Sequence, residues 1–228
     1  IKCEIEGMRF NSPKGKITEF PFTGYTIDRN EFDQYLAHKA VKEGAELVTG
    51  CGFLRIEDGL AVTEEGNIEY KVIIGADGPS SRVSKNLGLP ENKNLYPAVT
   101  TIAEGDFEPV IEMFFGGIAP GAYSWIIPKS GSANVGVGFS PKFSDGTLSE
   151  YFDYFSKKMD FNIVQDLKGK YVPSEGPIKQ TVSENGMLVG DAAGQVASVN
   201  GGGIPQAMIS ARICGNVAAD HILEERPL

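Results

Sequence analysis

The composition of this 228-residue chain is that of a globular protein, because 41% of its residues are hydrophobic and 22% are charged, which argues against intrinsic disorder. The formal net charge of −9 argues against broad nucleic-acid binding, since phosphate contacts need clustered Lys and Arg. No apolar run approaches the ~20 residues that a membrane-spanning helix needs.

The chain opens with a predicted hairpin, whose turn at residues 11–16 lies between two strand-like segments. A helix is expected next, because Asp28 can cap its N-terminus with Glu31 three residues later, and it should end near Gly44. Its apolar face is formed at helical spacing by Phe32, Tyr35, Leu36 and Ala40. Arg29 lies in the first turn, where a solvated surface arginine is the ordinary interpretation.

Residues 45–76 show the pattern of a strand, a hairpin and a buried strand of the parallel type. Polar turns at 57–59 and 65–67 separate these elements. A short helix is expected to follow, with Ser80 or Ser81 as its N-cap.

Residues 98–139 differ in character, because short apolar segments alternate with Gly/Pro turns, as in an antiparallel sheet. The strands are expected at 110–115, 122–127 and 133–139. A helix over about residues 148–159 follows. Its apolar face, which is expected to pack into a core, is formed by Leu148, Tyr151, Phe152 and Phe155.

Tyr123 and Trp125 stand two residues apart on the second of these strands, so strand alternation places them on the same face of the sheet. Pro120 and Pro128 bracket that strand. Such an aromatic pair is more often sheet packing than a ligand-binding wall, and the residues alone leave both interpretations open.

Two apolar segments each stop at a Gly-flanked aspartate, the first at Asp77 and the second at Asp191. In an open α/β sheet the carboxyl ends of buried strands face the ligand crevice, so both carboxylates are expected where a nucleotide lies. Residues 201–203 and Ile204 then open a helix of small residues, whose backbone N–H groups would bind an anion.

The other reactive side chains argue against metal or nucleophilic catalysis. Cys3, Cys51 and Cys214 are odd in number and scattered, which predicts reduced thiols, used as core fillers, in a cytoplasmic protein. His38 and His221 are the only histidines and both lie in helical sequence, so neither a His-based triad nor a metal site is expected. An organic cofactor is the expected source of chemistry.

At these motifs the chain resembles the flavin-dependent monooxygenase-like superfamily with the p-hydroxybenzoate hydroxylase fold. Residues 72–83 look like its GADGxxSxVR segment, and residues 188–204 look like its GDAAGQ…GGGI segment. Residues 119–129, followed by 134–138, are similar to the YxWxFPK…VGxG stretch of geranylgeranyl reductases. Residues 26–33 match the Arg-bearing helix start of that family.

The resemblance implies an α/β fold (an α+β composite), in which a partial FAD-binding Rossmann-like domain carries an inserted antiparallel-sheet substrate domain. The FAD-binding parts are expected at residues 25–88 and 166–228, and the substrate domain at 1–24 and 89–165. The family's N-terminal G-x-G-x-x-G turn has no counterpart here, so the chain is interpreted as an internal piece of a longer enzyme. A natural domain that has lost its cofactor is the alternative.

The resemblance also implies non-covalent FAD and a set of residues around it. The residues assigned to the cofactor are Arg29, Asp77, Gly78, Gly190, Asp191, Gly201, Gly202, Gly203 and Ile204. Asp191 is expected to accept a hydrogen bond from the ribityl chain, and the helix entered at Gly202 and Gly203 to face the pyrimidine edge of the flavin. Tyr123 and Trp125 are assigned to the substrate wall, and no proton donor or metal ligand is assigned.

The implied activity is hydride transfer from reduced flavin to isolated double bonds of geranylgeranyl chains. The electrons would come from an external donor, NAD(P)H or ferredoxin, and the substrate would be an isoprenoid or another apolar small molecule met by peripheral contact with a membrane. The alternatives are an FAD-dependent monooxygenase or halogenase of the same fold, an electron-transfer flavoprotein that reduces a quinone, and a non-catalytic fragment.

Overall fold

Two units make up the structure, a computed structural model that describes residues 1–228. Residues 1–47 and 96–170 form the first unit, and residues 48–95 and 171–228 form the second. Both units combine helices with strands, which confirms the α/β class predicted from the sequence.

Thirteen strands and four α-helices form the chain. In chain order the strands are β1 (Cys3–Asn11), β2 (Ile17–Thr26), β3 (Phe53–Glu57), β4 (Leu60–Thr63), β5 (Gly66–Glu69), β6 (Ile73–Gly75), β7 (Leu95–Glu104), β8 (Val110–Phe114), β9 (Ser124–Lys129), β10 (Ser132–Gly138), β11 (Asn162–Ile163), β12 (Lys168–Pro173) and β13 (Gly186–Leu188). The helices are α1 (Arg29–Lys42), α2 (Arg82–Asn86), α3 (Leu148–Met159) and α4 (Ile204–Glu224), with a short 3-10 helix at Gly190–Ala193.

The first unit is built on one sheet with strand order β11-β7-β10-β9-β8-β1-β2, and β12 also pairs with β7. Neighbours along this order are antiparallel except β1 and β8, which run parallel. The predicted hairpin is confirmed, because β1 pairs with β2 across a turn after Asn11. The antiparallel strands predicted within residues 98–139 are confirmed as β8, β9 and β10.

Helix α3 covers one face of this sheet. Its bounds, Leu148–Met159, agree with the prediction, and its Phe152 and Phe155 lie in a core with Val135 of β10. The ring centroid of Phe155 lies 5.5 Å from that of Phe114 in β8. The predicted apolar face of this helix is therefore the face that builds the main core of the first unit.

The helix predicted after residue 28 forms, but its apolar face is not buried. Asp28 caps α1 by accepting hydrogen bonds from the backbone N–H groups of Glu31 (3.3 Å) and Asn30 (3.0 Å), which lowers the pKa of Asp28. Tyr35 is 58% exposed, and no residue of α1 is buried. The cap therefore predicted correctly where this helix begins, whereas the apolar spacing of its residues does not correspond to a contact with the core. Residues 25–47 lie in the first unit, and their assignment to an FAD-binding domain stays a prediction.

Two small sheets form the second unit, the antiparallel order β3-β4-β5 and the parallel pair β13-β6. The turn predicted at 57–59 is confirmed as a two-residue loop, in which Asp58 and Gly59 have φ of 51° and 77°, as a type I′ turn requires. The predicted parallel strand is also confirmed, since β6 pairs with β13 from Ile73 to Gly75.

The strand and the hairpin predicted within residues 45–76 are confirmed as β3, β4 and β5, but the first strand starts later than predicted. Residues 45–52 form no strand, and β3 begins only at Phe53. Leu47 and Val48 are 54% and 50% exposed. No strand of the sheet order pairs with this segment, and an apolar run becomes a strand only where a partner takes its backbone hydrogen bonds.

The residues singled out for their reactivity have ordinary places in the fold. Cys214 fills a small core of the second unit, as predicted, whereas Cys3 and Cys51 are only partly buried. His38 and His221 lie in α1 and α4, also as predicted. None of the helices combines the length and the apolar character that a bilayer-spanning segment needs.

Candidate functional site

Both Gly-flanked aspartates follow strands of the same parallel pair. Asp77 comes two residues after β6, and Asp191 comes three residues after β13. The carboxyl ends of paired parallel strands meet at one edge of the sheet. The second unit therefore carries two neighbouring loops there, residues 76–79 and 189–194, which are named the Gly–Asp loops below.

The loop that carries Asp191 is held by hydrogen bonds between Gly190 and Gln195. Asp191 lies in the 3-10 helix, and Gly190 enters that helix with φ of 60°, a region that favours glycine. The side-chain oxygen of Gln195 accepts from the Gly190 N–H (2.8 Å), while the Gln195 N–H donates to the Gly190 carbonyl (3.0 Å). Gln195 therefore fixes both polar groups of Gly190, a role that the motif spacing did not reveal.

The glycine-rich segment ends at the start of α4, as predicted. Gly203 is the N-cap residue, and the first turn of the helix has neither a side-chain cap nor an acidic residue. A Cβ atom on Gly203 would lie 3.2 Å from Asp191 Oδ1. The Ala197 N–H donates to the Gly202 carbonyl (2.9 Å) and the Gly201 N–H donates to the Ala197 carbonyl (2.8 Å), so the segment closes on itself and delivers Gly203 beside the Asp191 carboxylate.

Asp77 is hydrogen-bonded to the helix that follows it, α2. Its Oδ2 accepts hydrogen bonds from the backbone N–H groups of Arg82 (2.7 Å) and Val83 (3.1 Å) at the start of α2. Ser81 caps the same helix by accepting from the Ser84 N–H, as one of the two predicted caps. The Asp77 carboxylate thus stabilises α2, and its assignment to the cofactor, with that of Gly78, stays a prediction.

Asn92 ties the two Gly–Asp loops together. Its side-chain nitrogen donates to the backbone carbonyls of Pro79 (2.9 Å) and Asp191 (2.8 Å). No sequence pattern pointed to this residue, because its partners are backbone groups that lie 13 and 99 residues away along the chain.

Arg29 lies on α1 in the first unit. Its guanidinium pairs with the Asp33 carboxylate one turn later, at 3.0 Å for the closer contact, and the two side chains are 60% and 53% exposed. Ion pairs of this kind at a helix surface contribute little to stability. The arrangement matches the ordinary interpretation of a solvated arginine, and contact with the flavin stays a prediction.

Tyr123 and Trp125 share a face of the first unit's sheet, on the side opposite α3. Their ring centroids lie 5.9 Å apart with an interplanar angle of 65°. The indole N–H of Trp125 donates to Asn134 Oδ1 (2.8 Å), and the ring covers Gly136, where a Cβ would lie 2.2 Å from a ring atom. Burial raises the pKa of Tyr123 to about 12. One face of the sheet therefore presents two partly buried rings, Trp125 in β9 and Tyr123 immediately before that strand.

The two rings belong to a longer series, which we call the aromatic row. Tyr123 lies 6.1 Å from Phe115, Phe115 lies 6.0 Å from Phe10 and Phe10 lies 5.5 Å from Phe20, all measured between ring centroids. The row runs from Trp125 in β9 past the end of β8 to the β1-β2 hairpin. Phe20, at the far end, is 56% exposed. Sequence reasoning found two of the five rings and missed the three that depend on strand order.

The predicted site residues are divided between the units. The second unit brings Asp191 beside Gly203 and links the two Gly–Asp loops through Asn92. The first unit contains Tyr123 and Trp125, and also Arg29, which is on a different element. No group of three or more His, Cys, Asp or Glu side chains is arranged to hold a metal ion.

A protein-family model described as the geranylgeranyl reductase catalytic domain matches residues 96–170, which include Tyr123 and Trp125. Digeranylgeranylglycerophospholipid reductases from Methanococcus vannielii and Methanocaldococcus jannaschii are 32% and 35% identical to this chain, each alignment covering 97% of it. The resemblance to the geranylgeranyl reductase family is confirmed. The chain spans 62% of the length of each of these two relatives.

Solved structures share the fold. A geranylgeranyl bacteriochlorophyll reductase-like protein from Thermoplasma acidophilum superposes with a TM-score of 0.87 at 26% identity, over 98% of this chain and 63% of that one. A triple mutant of a flavin-dependent brominase superposes with a TM-score of 0.75 at 18% identity, over 96% of this chain and 64% of that one. The second likeness concerns the fold alone, because one fold hosts many chemistries.

Proposed function

We propose that this chain is part of an FAD-dependent reductase that hydrogenates isolated double bonds of geranylgeranyl chains. The observation that carries the proposal is the aromatic row, since three of its five rings lie in the segment similar to geranylgeranyl reductase catalytic domains. An isolated alkene has no polar handle, so a protein must orient it by apolar contact. A row of rings on one sheet face offers that contact.

The second unit fits the flavin that the proposal requires. The uncapped start of α4 carries no acidic residue in its first turn, and the absence of a Cβ at Gly203 leaves room beside Asp191 Oδ1. Asp191 would accept a hydrogen bond from the ribityl chain, and the positive end of α4 would stabilise negative charge on the flavin ring. When bound, FAD would supply the hydride, with electrons from NAD(P)H or ferredoxin.

The first unit supplies the apolar wall, and we assign no proton donor to it. Burial raises the pKa of Tyr123 to about 12, which makes it a weaker acid than an exposed tyrosine, and it is not assigned as the donor. The roles of Tyr123 and Trp125 are to orient the chain and to exclude water. Peripheral contact with a membrane would bring the lipid to them.

The test uses the holoenzyme, chemically reduced without oxygen, with a geranylgeranyl lipid as substrate. The lipid should gain two mass units per double bond in mass spectrometry, and Tyr123→Ala and Trp125→Ala should slow this reaction with little loss of bound FAD. Phe107→Ala is the matched control, because the Phe107 ring packs against the core under α3 and lies outside the aromatic row.

Two outcomes would contradict the proposal. The first is an unchanged lipid together with oxygen-dependent hydroxylation or halogenation of another substrate, which would favour the monooxygenase or halogenase alternative. The second is turnover that falls equally in Phe107→Ala and in the two row variants, which would return Tyr123 and Trp125 to ordinary sheet packing.

A further inference from the structure

Asn92 is hydrogen-bonded to the backbone of Asp191, the residue that we propose binds the ribityl chain. The Asp191 carbonyl accepts two hydrogen bonds, one from the Gly194 N–H (3.0 Å) inside the 3-10 helix and one from Asn92 Nδ2 (2.8 Å). A carbonyl oxygen has two lone pairs, so both are used. The peptide plane after Asp191 is thereby fixed, and with it the direction in which the side chain leaves the backbone.

The side chain of Asn92 lies close against the backbone of Gly194. Its Oδ1 would lie 2.8 Å from a Cβ on Gly194, and the Gly176 carbonyl would lie 2.5 Å from the same atom. Only glycine at position 194 lets the amide approach this closely. Asn92 Nδ2 also donates to Pro79, the residue that follows Asp77 and Gly78, so one side chain sets the spacing of the two Gly–Asp loops.

We propose that Asn92 is a positioning residue for the flavin, one that acts through Asp191 and does not touch the cofactor. This inference rests on the proposed function, because it requires that Asp191 binds FAD. Loss of the two amide hydrogen bonds would let the Asp191 loop shift against Gly203, where a Cβ-sized space separates the glycine from the carboxylate. The ligand affinity would fall because the bound arrangement is no longer held in advance.

The chain contains a matched control for the loss of two hydrogen bonds. Asn86 Oδ1 accepts from the Ile56 N–H and its Nδ2 donates to the Arg82 carbonyl, both at 2.8 Å, so it also bridges two segments of the second unit. No bond of Asn86 reaches either Gly–Asp loop. Asn86→Ala therefore removes two amide hydrogen bonds, which are more exposed than those of Asn92, without reaching Asp191.

The experiment uses the complete enzyme after its flavin has been removed. Fluorescence titration gives the Kd for FAD, and circular dichroism gives the melting temperature of the apoprotein. Asn92→Ala should raise the Kd for FAD by about tenfold. This is the size expected for the loss of one well-placed buried hydrogen bond, here the proposed bond from the ribityl chain to Asp191. Asn86→Ala should lower the melting temperature without weakening FAD. Asn92→Leu, which has a similar size and removes both donors without adding a charge, gives the same test if the alanine variant does not fold.

A double-mutant cycle separates positioning from general structural support. Once Asp191→Ala has removed the cofactor contact, adding Asn92→Ala should have little further effect on the Kd, because coupled residues are not additive. Additive losses, or equal losses in the Asn92 and Asn86 variants, would overturn the inference. If Asp191→Ala leaves FAD affinity unchanged, the proposed cofactor site itself is wrong, whatever Asn92 does.

Discussion

The aromatic row and the Gly–Asp loops hold their shapes by different means. In the row, regular strands place the rings, since Phe10 of β1 and Trp125 of β9 both stand in register with Met113 of β8. In the loops, the backbone leaves the regular strands, and it is held by glycines and by the side-chain amides of Gln195 and Asn92.

This difference predicts how each region responds to substitution. Exchanging a ring in the row should change what binds and leave the strands in place. Adding a single Cβ in or beside the loops should displace the groups that we propose bind the ligand. Gly136 combines both features, because it is a glycine inside a regular strand and its missing side chain makes room for the ring of Trp125.

Gly136→Ala should give the largest loss of stability among these substitutions. The new Cβ would lie 2.2 Å from the Trp125 ring and 2.4 Å from the Val99 carbonyl of the neighbouring strand, and neither a packed ring nor a backbone oxygen can move freely. We expect the free energy of unfolding to fall by about 2 to 3 kcal/mol, as for other overpacked sites. Urea denaturation measures it.

Gly138→Ala, two residues along the same strand, is the control. The atoms nearest to its Cβ would lie at 3.5 Å, an ordinary contact distance. Its unfolding free energy should stay within about 1 kcal/mol of the unchanged protein. Equal losses in both variants would mean that the strand, and not the ring over Gly136, resists the added methyl group.

Gly203→Ala should have a smaller effect, and mainly on the ligand. Its Cβ would lie 3.2 Å from Asp191 Oδ1, so the carboxylate must shift by a few tenths of an ångström. We expect FAD affinity to fall by about tenfold with little change in apoprotein stability, because the N-cap position loses no side-chain bond. Fluorescence titration and thermal melting separate the two quantities.

Gly215→Ala, in the same helix, is the reference for this prediction. No atom would lie within 4 Å of its Cβ, and alanine favours helix by up to about 1 kcal/mol over glycine. That variant should melt slightly higher and bind FAD unchanged. A Gly203→Ala protein that behaves in the same way would show that the space beside Asp191 serves no ligand.

Local signals predicted those parts of the fold that local chemistry determines. The bounds of α3 followed from apolar spacing, and the turn at Asp58 and Gly59 followed from turn chemistry. The structure of residues 45–52 could not be predicted in this way. An apolar run forms a strand only together with a partner strand, and none pairs with this segment.

The candidate site divides in the same way. The motif around Asp191 was readable, since glycine spacing at a strand end is itself the signal. The roles of Phe10 and Asn92 were not readable. Phe10 joins the row because β1 lies parallel beside β8, a pairing between segments about a hundred residues apart, and Asn92 binds backbone carbonyls, which leave no mark on the sequence.

The last prediction concerns the raised pKa of the buried Tyr123 in the aromatic row, which affects the free energy of unfolding only at alkaline pH. Burial raises the pKa of Tyr123 from 10.0 to about 12. A folded-state pKa above the unfolded value means that the stabilisation is fully present below pH 10 and is lost as the pH rises towards 12. Tyr123→Phe should therefore lose less stability across this interval than the unchanged protein. In the absorbance difference between the two proteins at alkaline pH, one tyrosine should titrate near the upper end of the interval. A midpoint at the ordinary tyrosine value would mean that water reaches the hydroxyl, and a wall that water reaches could not shield an isolated double bond.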